Sequence, residues 1–122
     1  MMDRETLAQL RHELRTPLNH IIGYTEMLIE DGGQPDHVPA LRAVLDDAHV
    51  LLSLINELLG PAAAGSLDTA QHLAAQLTSP LERILAASEA IRKQMLAAGA
   101  DEAAQDAERI HAAAGHLVAL VK

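Results

Sequence analysis

The chain has no cysteine, no tryptophan and no phenylalanine, and one tyrosine among its 122 residues. Without cysteine there is no disulfide and no thiolate metal site. Apolar residues still make up 49 % of the chain, so the core must be built from Leu, Ile, Val, Ala and Met. Ala and Leu are strong helix formers, whereas a sheet favours the β-branched and aromatic residues that are scarce here. Basic residues are also few: nine Lys and Arg face seventeen Asp and Glu, for a formal charge of −8. Such a chain repels a phosphate backbone, which argues against nucleic acid as a partner. No apolar run is long enough to span a bilayer. The N-terminus, Met1 to Glu5, lacks the apolar centre of a secretory signal. The expectation is one soluble, cytoplasmic domain without membrane insertion.

What is present is helical periodicity. Leu7, Leu10, Leu14, Leu18, Ile21, Thr25 and Leu28 recur at spacings of three and four, which marks one face of a helix. Helix 1 is predicted over Asp3 to Asp31, ending at Gly32-Gly33. Residues 34–38 read as loop, and Pro39 suits the first turn of helix 2. Ala40, Val44, Ala48, Leu51, Leu52, Ile55, Leu58 and Leu59 continue the pattern to Gly60-Pro61. Residues 60–66 read as a linker, with Ser66 or Asp68 capping helix 3. Leu73, Leu77, Leu81, Ile84, Leu85, Ser88 and Ile91 form the next stripe. Gly99 ends it, and Asp101 is a candidate N-cap for helix 4. That helix runs through Ala107, Ile110, Ala114, Leu117 and Leu120.

The two halves repeat. At an offset of 63, Leu10, Leu14, Pro17, Leu18 and Ile21 fall on Leu73, Leu77, Pro80, Leu81 and Ile84. Thr16, Thr25 and Glu26 fall on Ser79, Ser88 and Glu89. At an offset of 65, Leu45, Ala48, Leu52 and Ile55 fall on Ile110, Ala113, Leu117 and Leu120. Any two amphipathic Leu/Ala helices align somewhere, but a proline at the same phase of each long helix favours an internal duplication. The expected fold is all-α: an antiparallel four-helix bundle of two helical hairpins, 1–59 and 67–122.

The segment Leu10 to Leu18, Leu-Arg-His-Glu-Leu-Arg-Thr-Pro-Leu, carries the chemistry. At 100° per residue, His12 lies about 160° from both Leu10 and Leu14, away from the apolar stripe. Glu5, Ala8, Arg15, Thr16, Asn19 and Gly23 lie within about 60° of it. The face around His12 is therefore polar or small, open to a protein partner. Pro17 denies a hydrogen bond to the carbonyl of Glu13 and should bend the helix just beyond His12.

His12-Glu13-Leu14-Arg15-Thr16-Pro17-Leu18 resembles the H-box of sensor histidine kinases, the core of their dimerisation and histidine-phosphotransfer (HisKA-type) domain. Asn19 to Leu28 is similar to the rest of that family's helix 1. Ala48 with Leu51 to Leu59 is similar to its helix 2. The resemblance implies that His12 is the phosphoacceptor, attacking phosphorus through a ring nitrogen in its neutral form. It implies that Glu13 accepts a hydrogen bond or proton from the imidazole, and that Thr16 helps orient water when a partner regulator is dephosphorylated. Arg15, Asn19 and Pro17 would support them. The implied partner is the aspartate of a response-regulator receiver domain, whose Mg²⁺ belongs to that partner. No cofactor or metal is expected in this chain.

The departures from the family shape the expected function. The family's domain dimerises, each chain supplying one hairpin, whereas here a second hairpin follows in the same chain. Ala75, Gln76, Thr78 and Ser79 stand opposite His12, Glu13, Arg15 and Thr16, so nucleophile and base are missing from the second copy. No Gly-rich nucleotide-binding segment follows, and no autokinase activity is expected of the chain alone. The reading is a monomeric, pseudo-dimeric histidine phosphotransfer protein that exchanges phosphoryl with a receiver, or accepts it from a sensor kinase or its ATPase domain. Two rivals are a non-catalytic bundle that binds a regulator or kinase, and the phosphoacceptor fragment of a longer sensor kinase. His20, His37, His49, His72, His111 and His116 read as surface or helix-boundary residues. Asp46-Asp47 reads as an exposed helix face.

Overall fold

A computed structural model describes residues 4–32, 35–58 and 69–121 of the chain. Among the described residues there are four α-helices and no strand. Helix α1 spans Arg4–Met27, α2 Val38–Leu58, α3 Thr69–Ala97 and α4 Asp101–Val121. The end of α1 passes into a π-helical turn at Leu28–Gly32, and a 3-10 turn at Pro35–His37 leads into α2. Helical structure thus runs one residue past the predicted end at Asp31 and widens over its last turn, and the described part of the predicted loop at 34–38 is instead a 3-10 turn and the start of α2 at Val38. The predicted linker at residues 60–66 and the caps at Ser66 and Asp68 lie outside the described residues.

The α3–α4 corner shows how sequence closes a hairpin. Gly99 sits at φ 78°, in the left-handed region that glycine enters at little cost. The N–H of Ala100 donates to the carbonyl of Met95 at 2.9 Å, and that of Gly99 to Leu96 at 3.1 Å. This pair of bonds satisfies carbonyls that the helix end would otherwise leave open. The carbonyl of Ala100 then accepts the first bond of α4, from Ala104 N–H at 3.0 Å. Ala100 therefore occupies the N-cap position predicted for Asp101. Asp101 and Glu102 fall instead in the first turn, where their charges complement the helix dipole.

Helix α1 packs against α2 and α4, and α3 packs against the same two. The result is an antiparallel four-helix bundle of two hairpins. Leu14, Leu18, Ile21, Leu28, Leu41, Val44, Ala48, Leu51 and Ile55 from the first hairpin meet Leu77, Leu81, Ile84, Ile91, Met95, Ala107, Ile110, Ala114 and Leu117 from the second in one core. Thr25 and Ser88 are buried on the same stripes. Each spends its hydroxyl on a carbonyl of the preceding turn, Thr25 on Ile21 and Ser88 on Leu85. Pro17 and Pro80 are buried inside α1 and α3. Their rings fill core volume, while the carbonyls they leave without a donor belong to the exposed Glu13 and Gln76, within reach of water.

Burial repeats between the hairpins. From His12 to Glu30 and from Ala75 to Lys93 the buried, half-buried and exposed positions coincide at an offset of 63, except at the pair Glu26 and Glu89. For the second helices the matching offset is 66, not the 65 that letter identities suggest: Leu41, Val44, Ala48 and Leu51 pair with Ala107, Ile110, Ala114 and Leu117. One residue of register rotates a helix by 100°. Helix α4 is so rich in alanine that identities alone do not choose between neighbouring registers, whereas packing does.

His37 lies at a helix boundary, as the sequence reading allows, but is buried, and His111 departs from that reading. His37 is 7 % exposed, and its Nδ1 is buried without a hydrogen-bond partner. His111 is half-buried between α3 and α4, its Nδ1 3.1 Å from both Ser88 Oγ and the Leu85 carbonyl. His111 sits on the inward side of α4, which periodicity shows only once the register is known. His20, His49 and His116 are exposed as predicted, and the side chain of His72 lies outside the described residues.

Candidate functional site

His12 stands on the solvent face of α1, and Glu5, Ala8, Arg15, Thr16, Asn19 and Gly23 are exposed with it. The 100° arithmetic thus describes the real surface. Pro17, one turn on, points inward and helps seat the helix. A hydroxyl ties the H-box together: Thr16 Oγ1 donates to the carbonyl of His12 at 3.2 Å. The Gln9 amide lies 3.5 Å from Glu13 Oε1 on the same exposed strip.

The surface beside His12 is concave. A cleft of about 480 Å³ opens between α1 and α4. Helix α1 contributes His12, Glu13, Thr16, Pro17 and His20, and α4 contributes His116 and Leu120. It continues into a groove of about 390 Å³ that shares Pro17, His20 and His116 and extends to Tyr24 and Arg109. The Arg109 guanidinium lies over the Tyr24 ring, 5.6 Å from its centroid, and bonds Asp106 at 2.6 Å. Of the residues singled out from sequence, the structure brings His12, Glu13, Thr16 and Pro17 to one cleft. Arg15 and Asn19 are exposed and do not line it.

His20, His116 and Leu120 also line the cleft, a placement that the sequence reading did not single out. Topology held the signal: helix 4 runs antiparallel to helix 1, so its last turns must pass the H-box. Among the described residues, no group of three or more His, Asp or Glu is placed to hold a metal ion. No described helix is long and apolar enough to cross a membrane.

The second copy presents a different surface. Ala75, Gln76 and Ser79 are exposed at the positions of His12, Glu13 and Thr16. Ser79 Oγ accepts from Arg83 Nη1 at 3.0 Å, and Arg83 also grips Asp47 of α2, with Nη2 3.0 Å from Oδ1 and Nε 3.2 Å from Oδ2. The bond and charge of Asp47 hold the Arg83 guanidinium above its ordinary pKa.

Residues 2–66 match the family described as the His Kinase A (phospho-acceptor) domain. The chain belongs to this family. Its relatives include the sensor protein SrrB of Staphylococcus aureus strain N315, 42 % identical over 64 residues, a match covering 50 % of this chain and 11 % of SrrB. Another is the sensor protein GacS of Pseudomonas syringae pv. syringae, 44 % identical over 55 residues, covering 45 % of this chain and 6 % of GacS. The chain therefore spans only a small part of these curated relatives. No solved structure matches it. The family match takes in the first hairpin and its H-box, so His12 occupies a phospho-acceptor domain by family as well as by motif.

Proposed function

We propose that the chain is a two-component phosphotransfer protein that carries phosphoryl on His12. The observation that carries this reading is an H-box histidine held on the open face of a HisKA helix, beside a cleft large enough to admit a reacting group. A neutral ring nitrogen of His12 attacks the phosphorus of a receiver's aspartyl phosphate. The N–P bond forms as the acyl phosphate O–P bond breaks, and the receiver's carboxylate leaves. Attack makes the proton on the other ring nitrogen more acidic, and Glu13 is the group to hold or take it. In the reverse direction the phosphoryl returns to the aspartate. Mg²⁺ on the receiver supplies charge neutralisation there. Thr16 is the group to orient water when the receiver is dephosphorylated.

The second hairpin takes the place that a partner subunit fills in a dimer. The repeated burial pattern supports an origin by tandem duplication, with Ala75 marking the lost second site. The units are then 1–59 and 67–122, joined through 60–66 into one domain. The test is transfer from a receiver domain carrying labelled aspartyl phosphate. Wild type takes acid-labile label and His12→Ala takes none; label that persists on His12→Ala overturns the assignment.

A second reading places the same chemistry inside a longer sensor kinase, as its phosphoacceptor segment. The much greater length of SrrB and GacS favours it. Sequencing the native transcript decides: an ATPase domain encoded in frame makes phosphorylation of His12 from ATP the physiological route.

A further inference from the structure

We propose that His111 is a positioning residue for the His12 site. Held as its Nδ1–H tautomer in a clasp on α3, it fixes the rotation of α4, and with it the wall that α4 gives to the cleft. Its effect on transfer rests on the phosphotransfer reading above.

Three polar atoms close the clasp. His111 Nδ1 on α4 lies 3.1 Å from Ser88 Oγ and 3.1 Å from the Leu85 carbonyl, both on α3. Ser88 Oγ donates to that same carbonyl at 3.2 Å. A carbonyl oxygen only accepts, and a serine has a single hydroxyl hydrogen. With that hydrogen spent on Leu85, Ser88 offers lone pairs to the ring. Both neighbours of Nδ1 are therefore acceptors, and a bare Nδ1 between them would be repelled. Nδ1 carries the hydrogen, which leaves the lone pair of the neutral imidazole on Nε2. In the first hairpin, at offsets of 66 and 63, the corresponding residues are Leu45, Thr25 and Ile22. Thr25 turns its hydroxyl to its own helix, on the Ile21 carbonyl, and the side chain of Leu45 has no hydrogen bond to give. The clasp is thus a property of the second hairpin.

That hairpin is where a clasp matters. Core filling selects the register of α4, but the helix buries Ala103, Ala104, Ala107 and Ala114 beside Ile110 and Leu117. Such small side chains make shallow ridges, which resist rotation weakly within the register. A hydrogen bond is directional and weakens steeply when misaligned. At ~5 Å from the helix axis, a rotation of about 30° carries a side-chain atom ~2.6 Å, enough to break the bonds of Nδ1. His116 and Leu120 lie about 140° and 180° around α4 from His111, and both line the cleft with His12. They move with the helix. The bond made on the α3 side therefore sets what α4 presents to His12 on the α1 side.

The full chain tests this. In two-bond 1H–15N spectra of histidine-labelled protein at about pH 8.5, above the ordinary imidazole range, His111 should show a protonated Nδ1 and a bare Nε2. The signal is identified by its loss in His111→Asn. A bare Nδ1 with a protonated Nε2 overturns the clasp. His111→Asn keeps an amide donor near the place of Nδ1–H, whereas His111→Leu puts the first hairpin's residue there and fills space without a bond. Nuclear Overhauser contacts between Leu120 and Pro17 should keep their wild-type strength in His111→Asn and weaken in His111→Leu. Wild-type contacts in His111→Leu would show that packing suffices and overturn the positioning role. Transfer from a receiver carrying labelled aspartyl phosphate should fall about threefold or more in His111→Leu and recover in His111→Asn. Phosphoramidate labelling of His12 should be unchanged in both. Equal transfer in all three chains, or equal loss in both variants, likewise overturns the role. Phosphoramidate label on His12→Ala would instead remove the phosphotransfer reading, while the tautomer and the α4 contacts still decide the clasp.

Discussion

Thr16 shows how much one side chain can be asked to do. Its hydroxyl now donates to the His12 carbonyl, just where Pro17 interrupts the regular helical bonding. An exposed bond of this kind contributes about 1 kcal/mol or less, so Thr16→Val should leave the melting temperature nearly unchanged. It should also leave labelling of His12 by phosphoramidate intact. If Thr16 orients water as proposed, dephosphorylation of a receiver should slow by about tenfold or more once its hydroxyl is gone. Equal dephosphorylation rates would remove Thr16 from the chemistry. Glu89 makes a different prediction. The hydrogen bond from Arg92 holds its carboxyl below the usual carboxylate range. A depressed folded pKa stabilises above the unfolded value, and that contribution disappears as pH falls through the folded one. Any melting-temperature advantage over Glu89→Gln should therefore be present near neutral pH and vanish in acid. An advantage that grows on acidification would contradict the ion pair.

At the scale of the element, two glycines predict opposite outcomes of the same substitution. Gly99 holds φ 78° at the end of α3, and nothing would obstruct an added methyl. The cost of Gly99→Ala is then purely conformational, about 1 kcal/mol of lost stability. Gly115 lies inside α4, is exposed and also has open space around it. Gly115→Ala should stabilise by about 0.5 to 1 kcal/mol through helix propensity. Urea unfolding of both variants checks the pair. The ends of α1 and α3 differ for a related reason. Gly99 closes α3 with a tight two-bond cap, while α1 leaves through a wider π-helical turn at Leu28–Gly32.

For the whole molecule, the decisive matter is who supplies the second half of the bundle. The core draws on both hairpins, with Leu18 and Ile21 meeting Leu81 and Ile84 in one cluster. On the reading proposed above, the second hairpin stands in for a partner subunit. Light scattering should give a monomer near 13.0 kDa; a dimer of twice that mass would overturn the expectation that the chain stands alone. Burying the α1 stripe is also what holds His12 outward, so the site depends on the whole bundle. Ile84→Ala removes a fully buried side chain from the middle of α3 and should lower stability by about 2 to 5 kcal/mol. Denaturant unfolding measures it, and phosphoramidate labelling of the folded fraction should be unaffected.

The sequence by itself determined the four helices, the stripe of each long helix, the outward position of His12 and the membership carried by its H-box. These follow from local physics: helix periodicity at 3.6 residues per turn and the chemistry of a few neighbouring side chains. Tertiary structure alone decided the register of α4, the burial of His37 and the meeting of His116 and Leu120 with His12. Those depend on how one helix is rotated and slid against another. An alanine-rich helix tolerates several such placements in sequence, and only the filling of a shared core selects among them.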